Sequence, residues 1–88
     1  MKCLFDRKFE KDFDKIKNPS LAKAILQAID HVSTASIPSE IPNIKKIKGQ
    51  RTAYRIRVGN YRIGVYIEKN IVVFAAFDHR KDIYSSFP

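Results

Sequence analysis

The stretch Tyr54–Tyr66, YRIRVGNYRIGVY, predicts a β-hairpin that carries arginines on one of its faces. Apolar residues alternate with Arg55 and Arg57 before a Gly-Asn pair, and with Arg62 and Tyr66 after it. A period of two is typical of a half-buried strand, and Gly-Asn is a common two-residue hairpin turn. Because successive strand side chains point to opposite faces, the arginines and Tyr66 should share the face opposite the apolar residues.

The sequence patterns on both sides of this hairpin predict an α+β domain spanning residues 1–88. Downstream, Ile71–Phe77 (IVVFAAF) is almost continuously apolar and is expected to be a central strand. Upstream, Lys2–Phe5 predicts a first strand, and apolar residues at helical spacing predict helices over Arg7–Lys17 and from Pro19 to about Val32. The expected order is an N-terminal strand, a helical hairpin and a three-stranded antiparallel meander.

Two proline-containing segments are expected to connect these elements. Asn18 can cap the second helix and Pro19 suits its first turn, so the pair should separate the two helices. The polar segment Ser33–Asn43 contains Pro38 and Pro42, which should keep it extended.

The net charge of +8 is concentrated in the second half of the chain. Residues 1–42 contain seven Lys/Arg and six Asp/Glu, a balance of +1, whereas residues 43–88 contain ten and three, a balance of +7. Since burying unpaired cations is costly, helices should cover only the apolar face of the sheet. The other face is expected to be concave, basic and open to solvent, with Arg80 and Tyr84 at its rim. Such a surface suits a polyanionic partner.

Several classes of site and partner are not expected. Two histidines and one cysteine do not provide a metal-ligand spacing, and no glycine-rich phosphate loop is present. Neither a metal nor another cofactor is therefore predicted. No apolar run approaches the ~20 residues that span a bilayer, so no membrane partner is expected. A single cysteine excludes an internal disulfide and fits a cytoplasmic protein.

The segments IKKIKGQRTAYRIRVGNYRIGVY (Ile44–Tyr66) and DHRKDIY (Asp78–Tyr84) resemble the RelE/ParE superfamily of toxins from type II toxin–antitoxin systems. The resemblance covers nearly the whole chain, because its length and the preceding strand–helix–helix order also fit. It implies a helical hairpin over a twisted antiparallel sheet and a cognate acidic antitoxin that wraps the toxin. A homodimer or a toxin–antitoxin heterotetramer would be compatible with it.

RelE-type members cut messenger RNA in the ribosomal A site without a metal ion. The resemblance therefore implies a ribosome-dependent mRNA endoribonuclease that inhibits translation. In this reaction the ribose 2′-OH is deprotonated and attacks the adjacent phosphorus, and the leaving 5′-oxygen is protonated. Guanidinium groups suit the negative charge that develops on the phosphate.

The same resemblance assigns roles to individual residues. Arg55 and Arg57 stand where RelE-type enzymes carry a basic pair before the hairpin turn, and Arg62 matches the arginine after it. Arg80 and Tyr84 match an arginine and a tyrosine that follow the last strand. The catalytic candidates are Arg57, Arg62, His79, Arg80 and Tyr84; the RNA-binding candidates are Lys45, Lys46, Lys48, Arg55, Arg57 and Tyr66.

One departure from the family leaves proton transfer unassigned. RelE-type enzymes often carry lysines where this chain has Arg55 and Arg57, and an arginine with a pKa above ~12 is a poor general base. His79 and Tyr84 are the two candidates for this role. A histidine at the end of a strand can equally well be a structural residue that bonds the backbone.

Two alternative functions stay open at this point. A ParE-like toxin would bind DNA gyrase and cut no RNA, and a degenerate member would bind RNA without cleaving it. The density of cations on the predicted strands favours the nuclease, because a gyrase-binding surface would not need all of them there.

Overall fold

The computed structural model describes residues 1–88, which form a five-stranded sheet with three helices. The strands are β1 (Lys2–Phe5), β2 (Ile44–Lys46), β3 (Ala53–Val58), β4 (Tyr61–Glu68) and β5 (Ile71–His79). Their order in the sheet is β1-β5-β4-β3-β2, with β1 parallel to β5 and the other neighbours antiparallel. The predicted α+β class is confirmed, and β5 is central as its apolar sequence predicted.

The predicted helical hairpin is present as α1 (Arg7–Asp14) and α2 (Pro19–Thr34). Asn18 caps α2, because its side-chain oxygen accepts hydrogen bonds from the backbone N–H groups of Ser20 at 2.9 Å and Leu21 at 3.3 Å. The first helix ends three residues before the predicted Lys17. The chain needs those residues to reverse direction before Asn18, which is held extended ahead of a proline.

The main core lies between the helical hairpin and one face of the sheet, as the alternation in the hairpin predicted. Ile56 and Ile63, which pair across β3 and β4, are almost fully buried there. The other buried members of this core include Phe9, Ile25, Val32, Val65, Val72, Phe74 and Phe77. None of the helices has the length and apolar content needed to span a bilayer.

The connection between the helices and the meander differs from the prediction. Pro38 begins a 3₁₀ turn, Pro38–Glu40, instead of holding an extended segment. Ala35 and Ile41 on either side of this turn are buried against the main core, which accounts for the bend. The meander also has four strands instead of three, because β2 pairs with β3 and places Lys45 opposite Arg55.

A β-bulge interrupts β5 and changes which face of the sheet the side chains after it point to. Gly64 pairs with Ala76 but Val65 pairs with Phe74, so Ala75 is an extra residue in β5. Such an insertion shifts the alternation of the side chains that follow it. Phe74 and Phe77 consequently both enter the main core although they are three residues apart.

The face opposite the helical hairpin is not fully open, in contrast to the prediction. A short unpredicted helix, α3 (Ile83–Ser86), folds back over part of it. Ile83 and Phe87 form a second small core there with Ala53 and Ala76 of the sheet. The sheet can accept them because its residues at this place have small side chains.

Candidate RNA-binding cleft

Six side chains from three strands, the turn before β2 and the C-terminal helix line a cleft of about 300 Å³ on the face opposite the helical hairpin. Strand register explains how they meet, since Arg57 lies opposite Arg62 and Lys45 lies opposite Arg55. The six lining residues are Asn43, Lys45, Arg55, Arg57, Arg62 and Tyr84.

The four cations of this cleft have no carboxylate partner. The single ion pair within 4.0 Å in the protein joins Lys8 to Asp12 on α1, at 3.3 Å. Asp78, which pairs with Arg62 across β4 and β5, accepts hydrogen bonds from the Ser86 hydroxyl and the His79 N–H instead. Like charges gathered in a cleft raise its positive potential, so the site favours an anion.

Two of the arginines are oriented by neutral oxygen atoms. Arg62 donates from Nη1 to the backbone oxygens of Gly59 at 3.0 Å and Tyr61 at 2.9 Å. Arg57 donates from Nη2 to the side-chain oxygen of Asn43 at 3.2 Å. These acceptors fix the guanidinium groups without cancelling their charge. Since each guanidinium has five N–H donors, several remain for a bound anion.

Asn43 is a site residue that was not predicted from the sequence. Its backbone is in the left-handed region with φ of 63°, and its carbonyl oxygen accepts the backbone N–H of Arg57 at 3.1 Å. Asparagine is one of the few residue types that adopt this conformation readily. An asparagine between Pro42 and the first residue of a strand is the sequence signal that could have marked the turn.

Tyr84 reaches the cleft from α3. Its ring lies under the guanidinium of Arg55, with Cζ 4.7 Å from the ring centroid, and 71% of the residue is exposed. The pKa of Tyr84 is lowered, first by hydrogen-bond donation from Arg55 to the phenolate and then by the positive charges of Arg55, Lys45 and Arg62.

Three other predicted RNA-binding residues lie outside the cleft. Tyr66 is on the same face but packs against Phe87, with 4.9 Å between ring centroids. Lys46 pairs with Tyr54, on the face of the sheet that carries the main core. Lys48 lies in the β2–β3 connection, beside a separate shallow depression.

His79 and Arg80 are not brought into the cleft either. His79 pairs with Tyr61, and its ring makes an edge contact with the Tyr61 ring at 5.4 Å. This places the imidazole on the face toward the helical hairpin, where Nδ1 accepts the Lys81 N–H at 3.2 Å. Arg80 is exposed beyond the end of β5, and its backbone N–H donates to the Asn60 oxygen at 2.8 Å.

A second concave surface, the helix-side groove, lies on the other side of the molecule. It has a volume of about 300 Å³ and is lined mainly by apolar side chains, with Leu26 54% and Phe5 39% exposed. Its lining residues are Phe5, Phe9, Glu10, Phe13, Asp14, Leu26 and Ile29. With two carboxylates and no cation, this groove is unsuited to a phosphate. The protein contains no group of three His, Cys, Asp or Glu side chains that could hold a metal ion.

Comparison with known proteins identifies the family. A sequence model described as the ParE toxin of type II toxin–antitoxin systems matches residues 3–84. The chain is 39% identical to Toxin RelE3 of Methanocaldococcus jannaschii over 89 residues, with all of both chains covered. It is also 38% identical to a chain of the RelB–RelE antitoxin–toxin complex from Methanococcus jannaschii, with a TM-score of 0.78 over 97% of this chain and 99% of that one.

A more distant structure shares the fold. The archaeal RelE–RelB complex from Pyrococcus horikoshii OT3 has a TM-score of 0.73 at 17% identity, covering 90% of this chain and 93% of that one. The family match and the full-length relative agree with the resemblance carried by the hairpin and the segment after β5. The chain therefore belongs to the RelE/ParE superfamily and is a toxin of a type II toxin–antitoxin system.

Proposed function

We propose that residues 1–88 act as one toxin domain that cleaves messenger RNA on the ribosome without a metal ion and so inhibits translation. The observation that supports this most strongly is the cleft in which four cations lie without a carboxylate partner, beside an exposed tyrosine. RNA supplies a line of phosphates to such a cleft, and its unpaired bases can stack on aromatic rings.

In this proposal the cations bind the scissile phosphate. Arg57 and Arg62 lie directly opposite each other on β3 and β4 and are already oriented by neutral acceptors. Preorganised donors of this kind stabilise the charge that develops on the non-bridging oxygens when the 2′-oxygen attacks phosphorus. Arg55 and Lys45 would hold the flanking backbone.

Tyr84 is the proposed proton acceptor for the 2′-OH. It is the one cleft residue with a titratable oxygen, and the lowered pKa of its phenol makes the phenolate more accessible. The catalytic role that the resemblance gives to His79 is not part of this proposal, because its ring lies on the other face of the sheet. Arg80 stays a prediction, because it is not among the residues that line the cleft.

The proposed partner in the cell is an antitoxin with an acidic segment. Both archaeal structures described above are complexes of a toxin with an antitoxin, which supports such a partner here. An acidic segment would cover the cleft and neutralise its cations. Apolar antitoxin side chains would occupy the helix-side groove, where Phe5 and Leu26 are exposed.

Cleavage in a cell-free translation system tests this function. Addition of the purified toxin to a translated messenger should produce new 5′ ends inside the reading frame, and none when translation is blocked beforehand. The relatives found by comparison carry RelE names, which does not favour the gyrase-inhibiting alternative. A parallel supercoiling assay should show unimpaired gyrase. Blocked supercoiling with an intact messenger would reverse the assignment.

A further inference from the structure

The position of Tyr84 depends on a helix that is too short to be stable without contacts to the sheet. Helix α3 has four residues, and isolated helices of this length are not stable in water. Tyr84 adds little anchoring of its own, since it is 71% exposed. Whatever docks α3 onto the sheet therefore determines whether the cleft contains its tyrosine.

The docking is provided by Phe87, the residue that follows α3. Phe87 is 3% exposed and packs with Ile83, four residues earlier, against Ala53 and Ala76. The backbone N–H of Phe87 donates to the Ile83 oxygen at 2.8 Å. Ile83 and Phe87 thus face the sheet together.

A glycine in β4 makes room for the Phe87 ring. A Cβ atom on Gly64 would lie 2.8 Å from Cδ1 of Phe87 and closer still to Cγ and Cδ2. The backbone of Gly64 is not in the left-handed region, so an L-residue could adopt its conformation. The requirement for glycine at this strand position is therefore one of space, and it is created by the Phe87 ring.

A hydrogen bond also holds the end of α3 against the sheet. The Ser86 hydroxyl donates to Asp78 Oδ2 at 2.7 Å, which ties the end of α3 to β5. Asp78 faces this side of the sheet because the bulge at Ala75 has reversed the alternation of β5. The bulge thus supplies the acceptor for the segment that carries Tyr84.

We propose that the Phe87 ring, packed in the space that Gly64 leaves in β4 (the Phe87 socket), positions Tyr84 in the cleft. Phe87 and Gly64 are positioning residues, because neither lines the cleft, although Gly64 pairs with Arg55 across β3 and β4. The role in cleavage rests on the proposed function, whereas the placement of Tyr84 beside Arg55 does not.

Ionisation of the Tyr84 phenol reports its placement without any RNA. The tyrosinate absorbance of the free toxin is followed during an alkaline titration, and the Tyr84 component is the one that disappears in Tyr84→Phe. Besides Arg55, the charged groups around this phenol are Lys45, Arg57 and Arg62. The chain has no tryptophan and only four tyrosines, so one component can be resolved.

Phe87→Ala should move the Tyr84 component to higher pH, because the phenol would then lie farther from the cations of the cleft. Gly64→Ala should do the same by expelling the ring. Phe87→Leu, which refills the socket, should restore much of the parental titration, and the exposed control Ser85→Ala should leave it unchanged. Single-turnover RNA cleavage by Phe87→Ala should fall toward that of Tyr84→Phe, a decrease of about 10²-fold or more.

Thermal unfolding of each variant checks that the main core, which contains neither residue, still melts cooperatively. An unchanged Tyr84 component in a folded Phe87→Ala protein would overturn the positioning role. So would a parental toxin whose Tyr84 component is not shifted to lower pH at all. Loss of RNA cleavage in every form of the protein, with the titration behaving as expected, would contradict the nuclease function. It would not contradict the positioning role of Phe87 and Gly64.

Discussion

The guanidinium carbon of Arg55 lies 4.7 Å from the centre of the Tyr84 ring, although the two residues come from β3 and from the helix after β5. This contact joins the part of the site suited to phosphates to the one cleft residue with a titratable oxygen. A cation over an aromatic face is attracted by the negative charge of the ring face, which favours this arrangement of the two side chains. The relationship links the predictions about binding, ionisation and cleavage.

Removing cleft arginines should weaken RNA binding and flatten its salt dependence. Each phosphate interaction that Arg55→Ala or Arg57→Ala abolishes should lower the slope of log K against log salt by roughly one unit. Lys23→Ala removes an exposed charge from α2, outside the cleft, and should leave the slope near that of the parent. The measurement is ribosome or RNA association over a salt series. A parental slope in the Arg55/Arg57 double variant would place the RNA surface elsewhere.

The rate of cleavage should rise with pH until the Tyr84 phenol is ionised. Because Arg55 lowers the pKa of Tyr84, Arg55→Ala should raise that pKa and move the rising limb to higher pH. Arg55→Lys keeps the charge and should move the limb less. Single-turnover rates over a pH series measure the limb, and Tyr84→Phe should remove it. An unmoved limb in Arg55→Ala would exclude Tyr84 as the titrating group.

Asn43 should contribute to stability and to binding through different atoms. Asn43→Gly keeps the left-handed backbone but deletes the acceptor for Arg57, so RNA affinity should fall with little change in the free energy of unfolding. Asn43→Ala deletes the acceptor and also forces an unfavourable backbone, which costs ~1–2 kcal/mol. Urea unfolding and RNA binding of both variants separate the two effects. Equal stability of the two variants would contradict the backbone role.

The helix-side groove should matter for the antitoxin and not for cleavage. Leu26→Asp places a carboxylate beside Glu10 and Asp14 and should weaken antitoxin binding by about tenfold or more. Ser20→Asp adds the same charge at an exposed position of α2 outside the groove and serves as the control. Titration calorimetry with the cognate antitoxin measures both. Parental affinity in Leu26→Asp would remove the groove from the antitoxin interface.

The faces of the central hairpin could be predicted from sequence because strand alternation is a local property. Ile56 and Ile63 enter the main core, and Arg55, Arg57 and Arg62 share the opposite face, as the period of two required. The same reasoning cannot place His79, because it assumes an unbroken alternation along β5. The bulge at Ala75 sets its facing instead, and the uninterrupted apolar run around it carries no signal for the extra residue.

Helix α3 could not be predicted from the sequence, for a different reason. A helix of four residues is too short to show periodicity, and its stability comes from Phe87 packing in the space left by Gly64. That space depends on residues far apart in the chain, such as Ala53 and Ala76, and it becomes visible only when the strands are paired. The resemblance to RelE-type toxins pointed to Tyr84 without explaining how it reaches the arginines.

Single-turnover cleavage of messenger RNA in a stalled ribosome complex is the decisive experiment for the proposed chemistry, with Tyr84→Phe and His79→Gln compared with the parent. The Tyr84→Phe variant keeps the ring beside Arg55 and lacks only the titratable hydroxyl. We expect its rate to fall by about 10²–10⁴-fold. His79→Gln, altered on the other face of the sheet, should cut at close to the parental rate. Parental cleavage by Tyr84→Phe together with a large decrease in His79→Gln would contradict the role of Tyr84 and place the chemistry outside this cleft.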